Sequence, residues 1–372
     1  KGAVVSFALT SSENYVSGEM RDYFQSIYLS LRECFPERLI IPGDTAYFLA
    51  SNEQGALTSD YNVLLKRLEE RKIETLYVRE YYLFDKLAKE RVDYLKDKIE
   101  RDISVAANED FRPAAYYYAT IFWGSQFDAA KGKKYLSHVT CGIIWSVTLL
   151  FCVAILAMCL KNRKLFTKRI VLTAVMTTGF SEIVFQMTVL LSFQIIYGYV
   201  YYKLGIIITS FMVGLAIGGS LMSKYIGRIK NDTKAFCLTQ ISICIYPLIL
   251  PAIFLWLAGT RVGAVSWVGA NLILPLMPLV AGVIGGLQFP LAVKLSVPED
   301  ELLRPSANAS IGRISGLNYG LDLLGACVGS FFTVSLLVPV LGIFQTCFLA
   351  AAINFVVLVI LLIGNGAKSR GK

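Results

Sequence analysis

Two acidic residues inside long apolar segments are the residues of this chain best suited to chemistry. Glu182 lies near the middle of one apolar segment, and Asp322 lies in the first third of another. A carboxylate in hydrocarbon costs at least about 2.5 kcal/mol, so each should face the protein interior, find a partner or be protonated. Gln186 follows Glu182 by one helical turn and Asn318 precedes Asp322 by one turn, which extends each carboxylate into a polar patch.

Two interpretations of this polar cluster stay open on the sequence. In the first, it is a site within the helix bundle that handles protons or small cations. In the second, it is a buried polar cluster that fixes how the helices pack. Arg313, which completes the cluster, and Lys294 are candidate counter-ions near the cytoplasmic ends of their segments.

Seven apolar segments are long enough to hold such residues in a membrane. Roughly 20 helical residues, at about 1.5 Å each, cross a hydrocarbon core about 30 Å thick. The predicted spans cover residues 138–160, 170–197, 204–222, 235–257, 265–293, 316–340 and 343–363. We therefore predict an α-helical multi-pass membrane bundle of about seven spans, in which a tethering helix (138–160) precedes a six-helix domain (161–372). Only Leu341 and Gly342 join the last two spans, which predicts a tight helical hairpin.

Positive charge is distributed unequally between the loops. The loops on one side hold 15 Lys and Arg residues, and the short loops on the other side hold only Lys203 and Arg261. Cytoplasmic loops carry the excess of positive charge in membrane proteins. We therefore expect a protein of the inner (plasma) membrane with a cytoplasmic C-terminus and with residues 1–137 on the outer side.

Composition changes at residue 138. Residues 1–137 hold 19 Lys and Arg against 21 Asp and Glu, as in a soluble domain, whereas residues 138–372 hold 17 against 6. The net charge of +9 thus comes from membrane loops, which indicates a lipid bilayer as partner and argues against nucleic acid. His138 is the only histidine, so neither a histidine-based metal site nor a Ser-His-Asp triad is supported, and no metal is expected.

Small residues in the apolar segments predict close helix contacts. Glycines four residues apart let two helix backbones approach each other, and nearby prolines predict kinks. The glycines with such spacing are Gly214 and Gly218, Gly325 and Gly329, and the group Gly282, Gly285 and Gly286. Helix packing, rather than a moving gate, is the expected role.

Residues 1–137 alternate between predicted strands and helices. Strands are predicted over 3–9, 39–41, 46–50 and 74–79, and helices are predicted from Ser17, over 60–72 and over 83–102. This pattern predicts a partial α/β Rossmann-like domain whose first strand is central in a parallel sheet. Neighbouring strands are therefore expected upstream of Lys1. Cys34, the only cysteine in this part, is expected on the buried face of a helix.

Several stretches resemble a known family. They are GAVVSFALTSSENY (2–15), IPGDTAYFLAS (41–51) and FRPAAYYYATIFWGSQF (111–127) in the soluble part, and GFSEIVFQ (179–186), FMVGLAIGGS (211–220), AGVIGGLQFPLA (281–292) and GRISGLNYGLDLLGACVGSFFTVSLLVPVLG (312–342) in the membrane part. The first three resemble the C-terminal half of the spermidine synthase-like domain that occurs in bacteria fused to membrane segments. The others are similar to the membrane half of the same fused family.

The resemblance implies an aminopropyltransferase that binds decarboxylated S-adenosylmethionine on a Gly-rich loop and holds putrescine with acidic residues. In the family's order both features precede Lys1, so no catalytic residue and no cofactor can be assigned to this chain. The expected function is that of a membrane-integrated spermidine synthase-like protein without its catalytic half.

A second interpretation of the resemblance stays open. The chain is then a transporter-like or scaffold membrane protein with a non-catalytic synthase-like docking domain. Orientation favours it, because decarboxylated S-adenosylmethionine is made in the cytoplasm and would not meet an outward-facing domain. Either interpretation suggests a polyamine or small cation, another membrane subunit or a second copy of the chain as partner.

Five residues of the soluble part could border a ligand. Ser11, Ser12 and Glu13 follow the first strand, at the edge where α/β sheets bind ligands. Asp44 and Tyr47 lie in the region that resembles a turn of the synthase family. The alternative, which we favour, is that all five are ordinary turn and surface residues.

Overall fold

The structure, a computed structural model, describes residues 3–12, 15–76, 78, 80–126, 139–160, 166–198, 201–260, 263–297 and 307–369. The chain divides into two compact units, Lys1–His138 and Val139–Lys372. Each unit has its own hydrophobic core.

The described part of the first unit contains a small sheet and five helices. Its elements are β1 (Val4–Thr10), α1 (Gly18–Cys34), β2 (Glu37–Ile41), β3 (Thr45–Ser51), α2 (Tyr61–Glu70), α3 (Glu80–Lys86), α4 (Lys89–Glu100) and α5 (Ala114–Gln126). Met20 and Phe24 of α1, Phe48 of β3 and Ile99 of α4 form the centre of the core, together with Phe122 of α5.

The sheet has the strand order β1-β3-β2, and both strand pairs are antiparallel. The predicted strand pair around the turn at Pro42 is confirmed as β2 and β3. The parallel pairing predicted for β1 is wrong, because β1 pairs antiparallel with β3. Its residues are exposed or half-buried, so only one face is covered. An apolar run shows that a strand is favoured but not how many of its faces are buried.

The helices of this unit agree only in part with those predicted from the sequence. Ser17 caps α1, and its Oγ accepts a hydrogen bond from the backbone N–H of Met20 at 3.2 Å. The helix predicted over 83–102 is instead two helices, α3 and α4, because Ala88 adopts an extended ψ of 116°. The strand predicted over 74–79 is absent at residues 74–76 and 78, and residues 77 and 79 lie outside the described residues. Cys34 is exposed, contrary to prediction, because it is the last residue of α1.

The second unit is a bundle of apolar helices. Its described helices are α6 (Cys141–Leu160), α7 (Phe166–Tyr197), α8 (Tyr201–Tyr225), α9 (Asp232–Gly259), α10 (Gly263–Val268), α11 (Leu274–Ser296), α12 (Ala307–Phe332) and α13 (Gly342–Ser369). Among the described residues, five helical stretches are long and apolar enough to cross a membrane: Lys168–Tyr197, Tyr201–Arg228, Asp232–Gly259, Gly263–Ser296 and Ile311–Ile363.

Three of these stretches contain more than one element, and one of them, Tyr201–Arg228, ends in the 3-10 helix Ile226–Arg228. A π-helical segment, Gly269–Ile273, joins α10 to α11, and a second one, Thr333–Leu341, continues α12. Gly342 then has φ 84° and ψ 167°, which no helix residue adopts, so the helix is interrupted before α13 continues. The stretch Cys141–Ala157 is apolar but shorter than the others.

The predicted glycine contacts are confirmed, and they join helices that are distant in sequence. α8 packs most closely on α11, and α7 packs most closely on α12. A Cβ atom added to Gly214 would lie 2.2 Å from the carbonyl oxygen of Leu279, and one added to Gly325 would lie 2.0 Å from that of Met176. These distances leave no room for a side chain, so the helix backbones touch.

Candidate functional site

A cavity of about 350 Å³ lies among α7, α8, α11 and α12 of the second unit, which is called the membrane unit below, and Glu182 and Asp322 both line it. Glu182 comes from α7 and Asp322 from α12. The other polar side chains at its wall are those of Thr178, Ser223, Gln288 and Tyr319. The structure therefore brings together two carboxylates that are far apart in sequence.

Glu182 fits into the bundle because α11 has no side chain opposite it. Its side chain is buried, with 7 % of the residue exposed. A Cβ atom added to Gly285 would lie 1.3 Å from the Oε1 atom of Glu182. The carboxylate thus occupies the space that any other residue at position 285 would fill.

Asp322 lies at the contact between α7 and α12. A Cβ atom added to Gly179 would lie 2.2 Å from the backbone oxygen of Asp322 and 2.6 Å from its Oδ1 atom. Gly179 therefore lets the backbone and the carboxylate of Asp322 approach α7.

Neither carboxylate has a basic partner among the described residues. The candidate counter-ion Lys294 is instead paired with Asp232, at 2.8 Å between Nζ and Oδ1, and it also donates to the backbone oxygen of Ile226. Its assignment as a counter-ion is therefore wrong. The other candidate, Arg313, is exposed and does not line the cavity.

The remaining members of the predicted cluster are buried outside the cavity wall. Gln186 is buried on α7, and Asn318 is fully buried on α12. Asn318 donates from Nδ2 to the backbone oxygen of Ile314 at 2.9 Å, but its Oδ1 atom accepts no hydrogen bond within the described structure. The hydroxyl of Thr178, which does line the cavity, is likewise buried and without a hydrogen-bond partner there. Buried polar atoms normally have a hydrogen-bond partner, so the unpaired hydroxyl of Thr178 leaves a polar atom available at the cavity wall.

A chain of buried polar side chains that the sequence did not single out begins at the cavity. Gln288 donates to Gln240 at 2.7 Å, Gln240 donates to Asn354 at 2.9 Å, and Asn354 donates to Ser181 at 2.5 Å. The chain joins α11, α9, α13 and α7, and it ends beside Glu182. An amide in each of three predicted spans was the available signal, because such residues are rare in hydrocarbon unless they find partners.

The loop residues proposed for the soluble part do not form one site. The backbone N–H of Ser11 donates to the backbone oxygen of Asp44 at 2.8 Å, so these two residues are neighbours. Ser12 lines a separate cavity of about 310 Å³, which neither Asp44 nor Tyr47 borders. Asp44 and Tyr47 are exposed, and Glu13 lies outside the described residues.

Comparisons with known proteins leave the cavity as the basis for inferring function. No protein-family model, curated protein or solved structure matches this chain. Within the described residues there is also no cluster of three or more His, Cys, Asp or Glu side chains that could hold a metal ion. Function has to be inferred from the two carboxylates and the walls around them.

Proposed function

We propose that the membrane unit is a transporter-like domain that binds a small cation between Glu182 and Asp322. The observation that carries this proposal is that both carboxylates line one cavity and have no basic partner among the described residues. Two carboxylates in one cavity within a membrane are unfavourable unless positive charge offsets them. A bound cation, or a proton carried in its place, supplies that charge.

The walls of the cavity favour an organic ammonium ion over a bare metal ion. The cavity volume of about 350 Å³ suits a small organic molecule. Phe289 and Tyr319, both in its wall, are arranged edge to face with ring centroids 6.5 Å apart. Aromatic rings attract ammonium groups, and the carboxylates pair with them. A polyamine, the partner suggested by the sequence resemblance, belongs to this class.

The proposal includes seven membrane crossings. The interruption at Gly342 divides Ile311–Ile363 into two helices that are each long enough to cross, and the 20 residues of α6 supply a further crossing. The cavity then lies toward the side on which α8 and α11 end and α7 and α12 begin. Lys168, Lys224 and Arg228 lie on that side, which the positive-inside rule assigns to the cytoplasm.

The test is binding of putrescine, spermidine and Na⁺ to the purified full chain, measured by calorimetry. We expect an amine to bind, and Glu182→Gln and Asp322→Asn each to weaken that binding at least tenfold. Asp232→Asn is the matched control, because it removes a carboxylate of the same unit outside the cavity, and it should leave the affinity unchanged. Equal affinity in the wild type and both cavity variants, or no binding of any of the three cations, would overturn the proposal.

An aminopropyltransferase-like role rests on the sequence resemblance. It predicts that the chain, joined to a catalytic half, converts putrescine and decarboxylated S-adenosylmethionine to spermidine. This chain by itself is expected to form no spermidine, because no catalytic residue of the family could be assigned to it. Spermidine formed by the purified chain, measured by mass spectrometry, would restore the enzyme as the preferred function.

A further inference from the structure

The two closest helix pairs of the membrane unit are built in the same way. Gly179 of α7 lies against the backbone oxygen of Asp322 of α12, and Gly282 of α11 lies against that of Phe211 of α8. A Cβ atom added to these glycines would lie 2.2 and 2.3 Å from the two oxygens. Within the two other helices, Gly325 follows Asp322 by the same number of residues as Gly214 follows Phe211. This makes α7 equivalent to α11 and α8 equivalent to α12.

The equivalence continues along both pairs in one register. Gly325 lies against the backbone oxygen of Met176 and Gly329 against that of Phe180. At the equivalent positions, Gly214 lies against the oxygen of Leu279 and Gly218 against that of Val283. Met176 precedes Gly179 by the same spacing as Leu279 precedes Gly282, so one alignment accounts for all of these contacts.

Burial of the side chains gives independent support. From 202 to 221 in α8, and from 313 to 332 in α12, equivalent residues are alike buried, half-buried or exposed, with two exceptions. The exceptions are the pairs Phe211 and Asp322, and Ile217 and Val328. Such agreement is not expected of two unrelated helices that each face several neighbours.

The third helices, α9 and α13, complete the correspondence. They pack on each other, and a hydrogen bond from Gln240 to Asn354 joins them. When these two residues are aligned, the buried Ile243 and Cys244 match the buried Val357 and Leu358. Equivalent residues that meet each other lie on the axis relating two repeats. Glu182 also meets its own equivalent, Gly285, so it too lies at this axis.

The two repeats run in opposite directions through the membrane. Contacts advance along both helices together in α7 with α12 and in α8 with α11, so each of these pairs is parallel. Because α7 ends at Tyr197, α8 begins at Tyr201 and each crosses the membrane in the proposed topology, α7 is antiparallel to α8 and hence to α11. Equivalent helices of opposite direction define an inverted repeat, of α7–α9 and α11–α13.

The scaffold is repeated but the polar site is not. Glu182, Asp322 and Asn318 correspond to Gly285, Phe211 and Ile207, which are apolar or lack a side chain. The polar Gln186 likewise corresponds to an apolar residue, Phe289. The interface of α7 with α12 thus supplies both carboxylates, and the equivalent interface of α11 with α8 has uncharged residues at the same positions.

We propose that the site at Glu182 is reached alternately from the two sides of the membrane through equivalent passages. The cavity in this structure is one passage. The other runs toward the ends of α7 and α12, along the residues equivalent to the cavity wall: Phe185, Gln186, Phe211, Ala326 and Ser330. Phe185, Gln186 and Phe211 are buried, so this second passage is closed here. Exchanging the conformations of the two repeats closes the first passage and opens the second.

This inference rests on the proposed function for the identity of the ligand but not for the geometry. The experiment is labelling of single cysteines with a membrane-impermeant maleimide, in a chain whose native cysteines are replaced, from each side of sealed vesicles. Ser223→Cys reports on the cavity, and Ser330→Cys, with Ala326→Cys as a second variant, reports on the equivalent passage. Native Cys327, retained alone, is the control, because it is exposed on the outer face of the same helix.

We expect Ser223→Cys to be labelled from one side of the membrane only and Ser330→Cys or Ala326→Cys from the opposite side only. Saturating putrescine should change the two labelling rates in opposite directions, by at least threefold, and leave Cys327 unchanged. Labelling of both passages from the same side, or of neither variant in the second passage, would overturn alternating access. Opposite-sided labelling without any effect of putrescine would retain the repeat and instead refute the amine ligand.

Discussion

Glu182 owes its position to a residue without a side chain. The carboxylate lies against Gly285, on the helix that carries no charge at the equivalent place. Burying a carboxylate in a membrane costs several kcal/mol, and the Glu182 carboxylate lies at the wall of the cavity. At the scale of single residues, the site is therefore a pair, Glu182 and Gly285, rather than an acid alone.

Gly285→Ala is expected to displace the Glu182 side chain, because the new Cβ would overlap its carboxylate. Overpacking of this kind costs about 1–3 kcal/mol. We expect amine affinity to fall at least tenfold and the midpoint of thermal unfolding in detergent to decrease. Gly205→Ala is the matched control, since nothing lies within 4 Å of a Cβ added there. Equal affinity in the two variants would show that Glu182 does not need this space.

Glu182→Gln is expected to abolish any proton movement that accompanies amine transport in proteoliposomes. The amide keeps the shape of the side chain and still forms hydrogen bonds, but it cannot take up and release a proton during the transport cycle. The readout is a pH-sensitive dye inside the vesicles, with Asp232→Asn as the control. Proton flux that persists unchanged in Glu182→Gln would remove this residue from the mechanism.

At the scale of helices, glycines and amides fix which surfaces meet. Glycines bring α8 against α11 and α7 against α12, and the chain from Gln288 to Ser181 joins α11, α9, α13 and α7. The first kind of contact is close and apolar, and the second is polar and directional. Together they determine the arrangement of helices around the cavity.

Asn354→Leu should destabilise the bundle, because it leaves Gln240 and Ser181 without the partner that connects them. A buried polar group left unpaired costs about 1–3 kcal/mol. We expect a lower midpoint of thermal unfolding in detergent, with a smaller change for Ser242→Ala, whose hydroxyl bonds only within its own helix. Equal midpoints for Asn354→Leu and the wild type would mean that the polar chain adds no stability.

Gly218→Ala should separate α8 from α11, because its Cβ would lie 2.2 Å from the oxygen of Val283. The neighbouring Gly219 offers a sharp comparison, since a Cβ there would lie 3.8 Å from its nearest atom. We expect Gly218→Ala to unfold at lower temperature than Gly219→Ala. Reversal of that order would indicate a different helix contact in the membrane.

At the scale of the whole molecule, an asymmetric site lies in a nearly symmetric helix scaffold. Glycine contacts match between the pairs α7–α12 and α11–α8, and burial matches between α8 and α12, while Glu182 and Asp322 belong to one interface only. An apolar copy of the site can close against the same neighbours without desolvating a charge. We therefore expect the state with the first passage closed and the state with the second passage closed to differ in free energy.

Orientation is tested by labelling Cys34 with an impermeant maleimide in intact cells, after replacement of the other cysteines. Cys34 is exposed, so it should react if the first unit lies outside the cytoplasm. A cysteine introduced as Lys230→Cys, in a predicted cytoplasmic loop, should react only after lysis. The opposite pattern would invert the assigned topology and place the cavity mouth on the outer side.

Much of the membrane unit could be predicted because its signals are local. The length of the apolar segments identified the helices of the bundle, and the glycine spacing identified the helix surfaces that contact each other. The polar cluster and its counter-ions could be predicted only in part from such local signals. Glu182 and Asp322 line the cavity, but Lys294 is paired with Asp232, since a counter-ion is chosen by distance in space and not by position in a segment.

The sequence by itself determined that the chain has a membrane unit, which apolar segments form it, where its glycines allow close contact and which two carboxylates are unusual. Only the tertiary structure decided that α7 meets α12, that Glu182 lies against Gly285 and that β1 pairs antiparallel with β3. The reason is physical. Periodicity and apolar length act within one element, whereas partners distant in sequence are selected by the fit of whole surfaces.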